Sequence, residues 1–176
     1  MGADVLVGLS QPRIFTKEII ESLAEKPIVF AMANPEPEIR PELAKQIRKD
    51  IIIATGRSDY PNQINNVMCF PFLFRAALDC RATTINEPMK MAAAQCLADL
   101  VKKPMPKSIL ETAKLSGGAT EFGREYIIPN PFDPRLVVEL PVEIVKAAMA
   151  SGVAQKKITD FQAYQVELQK ISDLNN

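Results

Sequence analysis

Three asparagines, Asn34, Asn65 and Asn66, stand in the two segments of this chain best suited to chemistry. An asparagine side chain donates through its amide and accepts through its carbonyl, so it orients a polar ligand without adding charge. Asn34 opens the run Asn34-Pro35-Glu36-Pro37-Glu38, and Asn65 and Asn66 close the run Gly56-Arg57-Ser58-Asp59-Tyr60-Pro61-Asn62-Gln63-Ile64-Asn65-Asn66. The second run is small, polar and amide-rich, with Ile64 and the Tyr60 ring as its bulky apolar groups. Histidine is absent from all 176 residues. That removes His general bases, His metal ligands and Ser–His or Cys–His nucleophile pairs from this chain. Acid–base chemistry here falls to Lys, Tyr, Asp or Glu.

Each of these residues also has a plainer reading. Asn34, before a proline, suits a loop amide that caps its own backbone. Asn65 and Asn66 suit the start of a helix, and one amide can cap while the other faces ligand. Arg57 could grip a carboxylate or phosphate with both arms, but Asp59 stands two residues away as an ion-pair partner. Tyr60 carries a phenol that could donate a proton. Glu36 and Glu38 could be metal ligands, yet their spacing of two between prolines equally describes a solvated acidic turn. We read them as that turn.

The elements that must position these residues follow from apolar spacing. Ala3 to Gly8 is a short strand candidate, Ile28 to Ala33 a second and Ile51 to Ala54 a third. Thr16 is an N-cap for Lys17 to Glu25, and Pro41 starts a helix at its first turn. Short continuous apolar runs alternating with amphipathic helices are the pattern of parallel strands covered on both faces. In such a sheet, ligands sit outside the carboxyl ends of the strands, where both polar runs lie. From Asn65 onward the chain is mostly helical. Val67 to Asp79, apolar almost all round, predicts a deeply buried helix bent at Pro71. Glu87 to Val101 predicts an amphipathic helix. Residues 102–138 predict an irregular wrap with a short helix at Ser108 to Leu115. Pro141 predicts the start of a helix to about Ala150, closed by Gly152, and Thr159-Asp160 caps a last helix, Phe161 to Ile171.

The bulk composition excludes several classes. Apolar residues make up 47% and charged ones 24%, as in an ordinary globular protein. Lys+Arg and Asp+Glu both number 21, and a chain of zero net charge lacks the basic excess that nucleic acid demands. No apolar run reaches membrane-span length, and Met1-Gly2-Ala3-Asp4 is no signal peptide. Cys69, Cys80 and Cys96 form no Cys-x-x-Cys pair and read as buried cytoplasmic thiols. No Gly-x-Gly-x-x-Gly turn opens the sheet, and Gly117-Gly118 stands isolated. The sheet begins as though its first half were elsewhere.

Gly2 to Ser10, Phe30 to Ile39, Ala54 to Val67, Cys69 to Phe72, Ala82 to Asn86 and Ile127 to Arg135 resemble the bacterial malic enzymes. The resemblance spans roughly residues 2–155. It implies an α/β fold: the C-terminal part of a Rossmann-like, doubly wound parallel sheet, followed by a mostly helical C-terminal region. Residues 1–155 are then a partial NAD(P)-binding domain, and 156–176 a C-terminal helical tail or linker. The family oxidatively decarboxylates malate to pyruvate and CO2 with NAD or NADP and a divalent metal, Mg or Mn. Asn34 and Asn65 match family asparagines near malate and the nicotinamide, with Asn66 adjacent, and Gly8, Leu9 and Ser10 match a turn along the cofactor. The family's catalytic Tyr and Lys, its metal ligands and its pyrophosphate turn lie upstream of Gly2, so no catalytic residue and no metal ligand is assigned here, and Tyr60 is not the family's Tyr.

Two readings follow. One is a segment of a malic enzyme, inactive by itself, that meets malate when a missing N-terminal part docks. The other is a non-catalytic truncated or split product acting at most as a cofactor-binding or association module. An unrelated small α/β binding module is a third. The resemblance further implies a homo-oligomer and, in some relatives, a phosphotransacetylase-like domain downstream. Strands turned into edges and uncovered apolar faces would leave such a segment marginally stable or self-associating.

Overall fold

The computed structural model describes residues 2–115 and 118–173, with backbone alone at 171 and 172. Gly117, half of the isolated glycine pair, lies outside the described residues. The chain divides into two compact units, Met1–Asn65 with Leu110–Ile128, and Asn66–Ile109 with Pro129–Asn176.

The first unit is built on three parallel strands, β1 (Val5–Gly8), β2 (Ile28–Ala31) and β3 (Ile52–Thr55), in the order β1-β2-β3. Gly8, Ala31 and Thr55 are in register, so all three strands end on one edge. Helix α1 (Lys17–Glu21) follows β1, and the Thr16 hydroxyl caps it by accepting from the Ile19 N–H. It stops at Glu21, four residues short of the expected end. Helix α2 (Pro41–Ile47) follows β2 with Pro41 in its first turn, where the missing N–H has no helical partner to lose. Ile20, Leu23, Val29, Ala31, Ala44, Ile51 and Ile53 form the core. The parallel α/β arrangement expected from the apolar runs is present.

The second unit is helical: α3 (Phe70–Asp79), α4 (Glu87–Leu100), α6 (Arg135–Ala150) and α7 (Phe161–Asp173), while α5 (Lys107–Leu115) crosses the division between units. Leu136, Leu140, Ile144, Val145 and Ala148 of α6 pack with Met89, Ala93, Cys96 and Leu100 of α4 and with Tyr164 and Leu168 of α7. Helix α6 begins six residues before Pro141, which sits inside it. Proline has no N–H for the Val137 carbonyl, but the neighbouring Leu140 and Val142 are buried. Apolar burial of about 1.5–3 kcal/mol per large side chain outweighs the missing bond. Pro71 lies in the first turn of α3 and not at a bend. Nor is α3 deeply buried. Ala76 is its one buried residue, while Phe70, Phe74 and Leu78 are exposed, together with Val67 of the short 3-10 turn before it. Gly152 takes the left-handed conformation expected past a helix end, and Asp160 caps α7 through the Ala163 N–H. The three cysteines are free thiols, Cys80 and Cys96 buried and Cys69 half-buried.

Candidate functional site

Parallel strands that end in register deliver their exit loops to a common edge. The loop after β1 is Leu9-Ser10, the loop after β2 leads through Met32-Ala33 to Asn34, and the loop after β3 starts at Gly56. The chain then returns beside β3: Gln63 bridges to Thr55, and the Ile64 N–H donates to the Thr55 carbonyl at 2.8 Å. Asn65 follows directly.

Glu38 joins the first two loops. Its side chain is fully buried, which corrects the reading of a solvated turn at this position. Oε1 accepts from the Ser10 N–H at 3.1 Å and Oε2 from the Ala33 N–H at 2.9 Å. A carboxylate removed from water must be hydrogen-bonded or paired, and these two amides compensate it. Gly8 makes the room: a Cβ there would stand 2.5 Å from the Glu38 carboxyl carbon and 2.6 Å from the Phe15 ring. Packing against Glu38 is therefore what demands glycine at this position.

Glu36 is no freely solvated turn residue either. Arg40 grips it through Nε and Nη2, and Arg57 and Arg13 approach within 3.6 and 3.9 Å. The Arg40 hydrogen bonds, more than any other cause, hold its carboxyl below the usual range. Arg57 makes the expected pair with Asp59, at 2.8 and 2.6 Å, and its guanidinium lies 5.3 Å from the centre of the Tyr60 ring. Burial, followed by its hydrogen bond to Glu42, pushes the Tyr60 phenol up. A phenol occupied in this way and raised in pKa is a poor proton donor. Behind these groups, a cavity of about 510 Å³ is lined by Phe15, Ile39, Leu43 and Ile47, with Arg13, Lys17 and Arg40 among its polar lining.

The asparagines divide by environment. Asn62, passed over at the sequence level, is the buried one. Its amide donates to the Ile53 and Arg124 carbonyls at 3.0 and 2.7 Å, and its carbonyl accepts from the Ile127 N–H at 2.9 Å. Asn34, Asn65 and Asn66 are exposed. Asn34 caps nothing: its side chain makes no hydrogen bond to another described residue. Neither Asn65 nor Asn66 caps α3, whose N-cap residue is Cys69 without a side-chain bond. Asn34 and Asn65 belong to the first unit and Asn66 to the second. Leu9 is 78% exposed, an apolar surface at the strand end beside the exposed Ser10. Among the described residues no three His, Cys, Asp or Glu side chains cluster to hold a metal.

Residues 1–113 match the family model described as malic enzyme, NAD binding domain. The chain belongs to the malic enzyme family. It is 52% identical over 163 residues to an NADP-dependent malic enzyme of Salmonella typhimurium, covering 93% of this chain and 21% of that protein. An NADP-dependent malic enzyme of Halomonas elongata is 54% identical over 155 residues, covering 88% and 36%. An NAD-dependent malic enzyme of Rhizobium meliloti is 51% identical over 163 residues, covering 93% and 21%. The crystal structure of the malic enzyme from Pyrococcus horikoshii matches with a TM-score of 0.79 and 37% identity, over 98% of this chain and 36% of that one. This chain thus spans about a fifth to a third of the curated malic enzymes it matches. The Rossmann-like α/β fold agrees with that relationship.

Two residues that organise this edge, Glu38 and Asn62, escaped the sequence reading. Gly8 was the available signal for Glu38, because a glycine ending a strand leaves space for another side chain. Asn62 gave no comparable signal, since two of its three partners are 62 and 65 residues further along.

Proposed function

We propose that this malic enzyme chain contributes the nicotinamide-side and substrate contacts of an enzyme that oxidatively decarboxylates malate to pyruvate and CO2. Bound NAD or NADP would supply the hydride acceptor for malate C2, and a divalent Mg or Mn would supply positive charge for the developing oxyanion. The single observation behind this is the set of exposed groups at the in-register strand ends. Leu9 offers an apolar surface, and Ser10 and Asn34 offer polar side chains that no described residue occupies. These suit one end of a dinucleotide. They do not suit its pyrophosphate, for which this sequence has no glycine-rich turn.

In this reading Asn34 and Asn65 donate to malate oxygens and accept from the nicotinamide carboxamide. They orient the substrate C–H without a charge that would disturb the metal's field. Asn66 adds a malate contact, and the backbone of Gly8 with Leu9 and Ser10 runs along the cofactor. Residues 1–155 form the partial NAD(P)-binding domain and 156–176 the helical tail. The catalytic Tyr and Lys and the metal ligands come from other sequence, so these 176 residues alone reduce no NAD(P) on adding malate. In the same reading the complete protein is cytoplasmic and homo-oligomeric; in some bacterial malic enzymes a similar segment leads into a phosphotransacetylase-like domain. No helix among the described residues is long and apolar enough to cross a membrane.

A second reading, a non-catalytic association module, is favoured by Val5 and Val7, which stand 48% and 56% exposed on β1. Amide NMR of the chain titrated with NAD, NADP and malate separates the two. Shifts at Leu9, Ser10 and Asn34, weakened about 10-fold in Kd by Asn34→Ala, support the first reading. Titration without any response at those residues refutes it, and malate-dependent NAD(P) reduction by this chain alone refutes the division of labour.

A further inference from the structure

We propose that Glu38 is a positioning residue, a buried carboxylate strut that sets the spacing of the β1 and β2 exit loops and thereby the placement of Leu9, Ser10 and Asn34. The proposal rests on the ligand role of those three residues, and it adds the residue that holds them ready.

One carboxylate with two oxygens meets two amides from two loops. The Ser10 N–H lies 28 residues before it and the Ala33 N–H five residues before it. A charged acceptor makes such bonds stronger than a neutral one does. No cation lies within ion-pair distance of Glu38 among the described residues, so the loop amides carry the compensation. The backbone on either side is pinned as well: the Phe15 N–H donates to the Glu38 carbonyl at 3.1 Å and the Arg13 N–H to the Pro37 carbonyl at 3.2 Å. The strut therefore stands on a fixed base. Its far end fills the space left by the absent Cβ of Gly8. Neither loop can move without leaving a carboxylate oxygen unpaired away from water, a larger penalty than a neutral acceptor would impose.

Glutamine has the same shape but one oxygen, and its NH2 would face an N–H. Glu38→Gln should therefore release both loops, because the single remaining oxygen cannot hold two donors. Glu36, two residues away, is partly exposed and its ion pairs are screened, so Glu36→Gln serves as the control. Ile53→Val is a second control, lowering core stability without touching either loop.

The test is amide hydrogen exchange on the full chain, with NAD and NADP titrations beside it. In Glu38→Gln, exchange at Ser10 and Ala33 should accelerate together by about 10-fold or more, while Val29 and Ile53 exchange as before. The cofactor Kd should rise about 10-fold in Glu38→Gln and stay unchanged in Glu36→Gln and Ile53→Val. Unchanged exchange, or release of only one of the two amides, overturns the strut, and where cofactor does shift Leu9, Ser10 and Asn34 an unchanged Kd overturns it too. If Glu38→Gln does not fold, through-hydrogen-bond couplings from the Glu38 carboxyl to both amides in the unaltered chain decide, and their absence overturns it. A chain that shows coupled release but no cofactor response at Leu9, Ser10 and Asn34 refutes the proposed function while leaving the strut intact.

Discussion

Replacing Asn62 with alanine should be the most damaging single change at the carboxyl edge of the sheet. Three hydrogen bonds meet at a side chain that is 6% exposed, and all three partners are backbone groups. Each bond contributes about 1 kcal/mol net, and a buried donor left without a partner costs about 1–3 kcal/mol. Asn62 also holds φ near 56°, which asparagine tolerates and alanine does not, for about 1–2 kcal/mol more. Together these give a loss of about 3–5 kcal/mol in Asn62→Ala. Asn62→Gly loses the same bonds but relieves the backbone, so it should be less damaging by about 1 kcal/mol. Asn34→Ala, at an exposed and unbonded amide, should change stability by less than about 0.5 kcal/mol. Urea unfolding followed through the amide signals of β2 and β3 reads all three. If Asn62→Ala costs under about 1 kcal/mol, the claim that this amide staples β3 to the 124–127 segment is wrong. If Asn62→Gly is the worse of the two, the backbone part of the reasoning is wrong.

Asp50 accepts from both arms of Arg48 and from the Lys26 N–H, and the Arg48 bonds above all hold its carboxyl far below the usual carboxylate range. A depressed folded pKa stabilises above the unfolded value and loses that contribution as pH falls below about 4, so Asp50→Asn should flatten the acid limb of a stability–pH curve. Burial pushes the Cys96 thiol up to about 12, so native alkylation at neutral pH should label Cys69, leave Cys96 intact and be read by peptide mass mapping. Val67, Phe70, Phe74 and Leu78 recur at helical spacing and are 45%, 59%, 45% and 73% exposed, so the chain should self-associate with concentration, and Phe70→Glu with Leu78→Glu should reverse this in sedimentation velocity without unfolding it.

The strands, the Thr16 cap and the Pro41 helix start were legible because their causes are local. A short apolar run, a hydroxyl before a first turn and a ring nitrogen without hydrogen act within a few residues. The burial of Glu38 was not legible, because the amides that neutralise it come from two other points along the chain. The same holds for Asn62. At Pro141 a local rule pointed the wrong way: proline at a helix start is common, but Leu136 and Leu140 before it pack into the core. Packing there outweighs one absent hydrogen bond. For α3, an apolar sequence predicted burial, but apolar composition is permissive of burial and supplies no partner. Asn34 was legible as a residue type, an Asn in a strand-end loop, but the lack of a side-chain hydrogen bond to any described residue was visible only in three dimensions.

This difference in saturation separates two functions that share a single edge. Glu38 and Asn62 spend their hydrogen-bonding capacity on backbone groups of the chain, and their removal strands buried donors, acceptors or charge. Asn34 and Ser10 have side chains that bind nothing described, so in the absence of ligand their removal changes little but solvation. Affinity and stability should therefore respond to different substitutions even at residues close in sequence. Asn34 and Glu38 lie on one Pro-flanked loop, four residues apart, one exposed to solvent and the other sealed from it. The sealed residue sets where the exposed one stands, so Asn34→Ala acts on the contact and Glu38→Gln acts on its position. Combining them should be less than additive in binding, because a displaced amide has little left to lose.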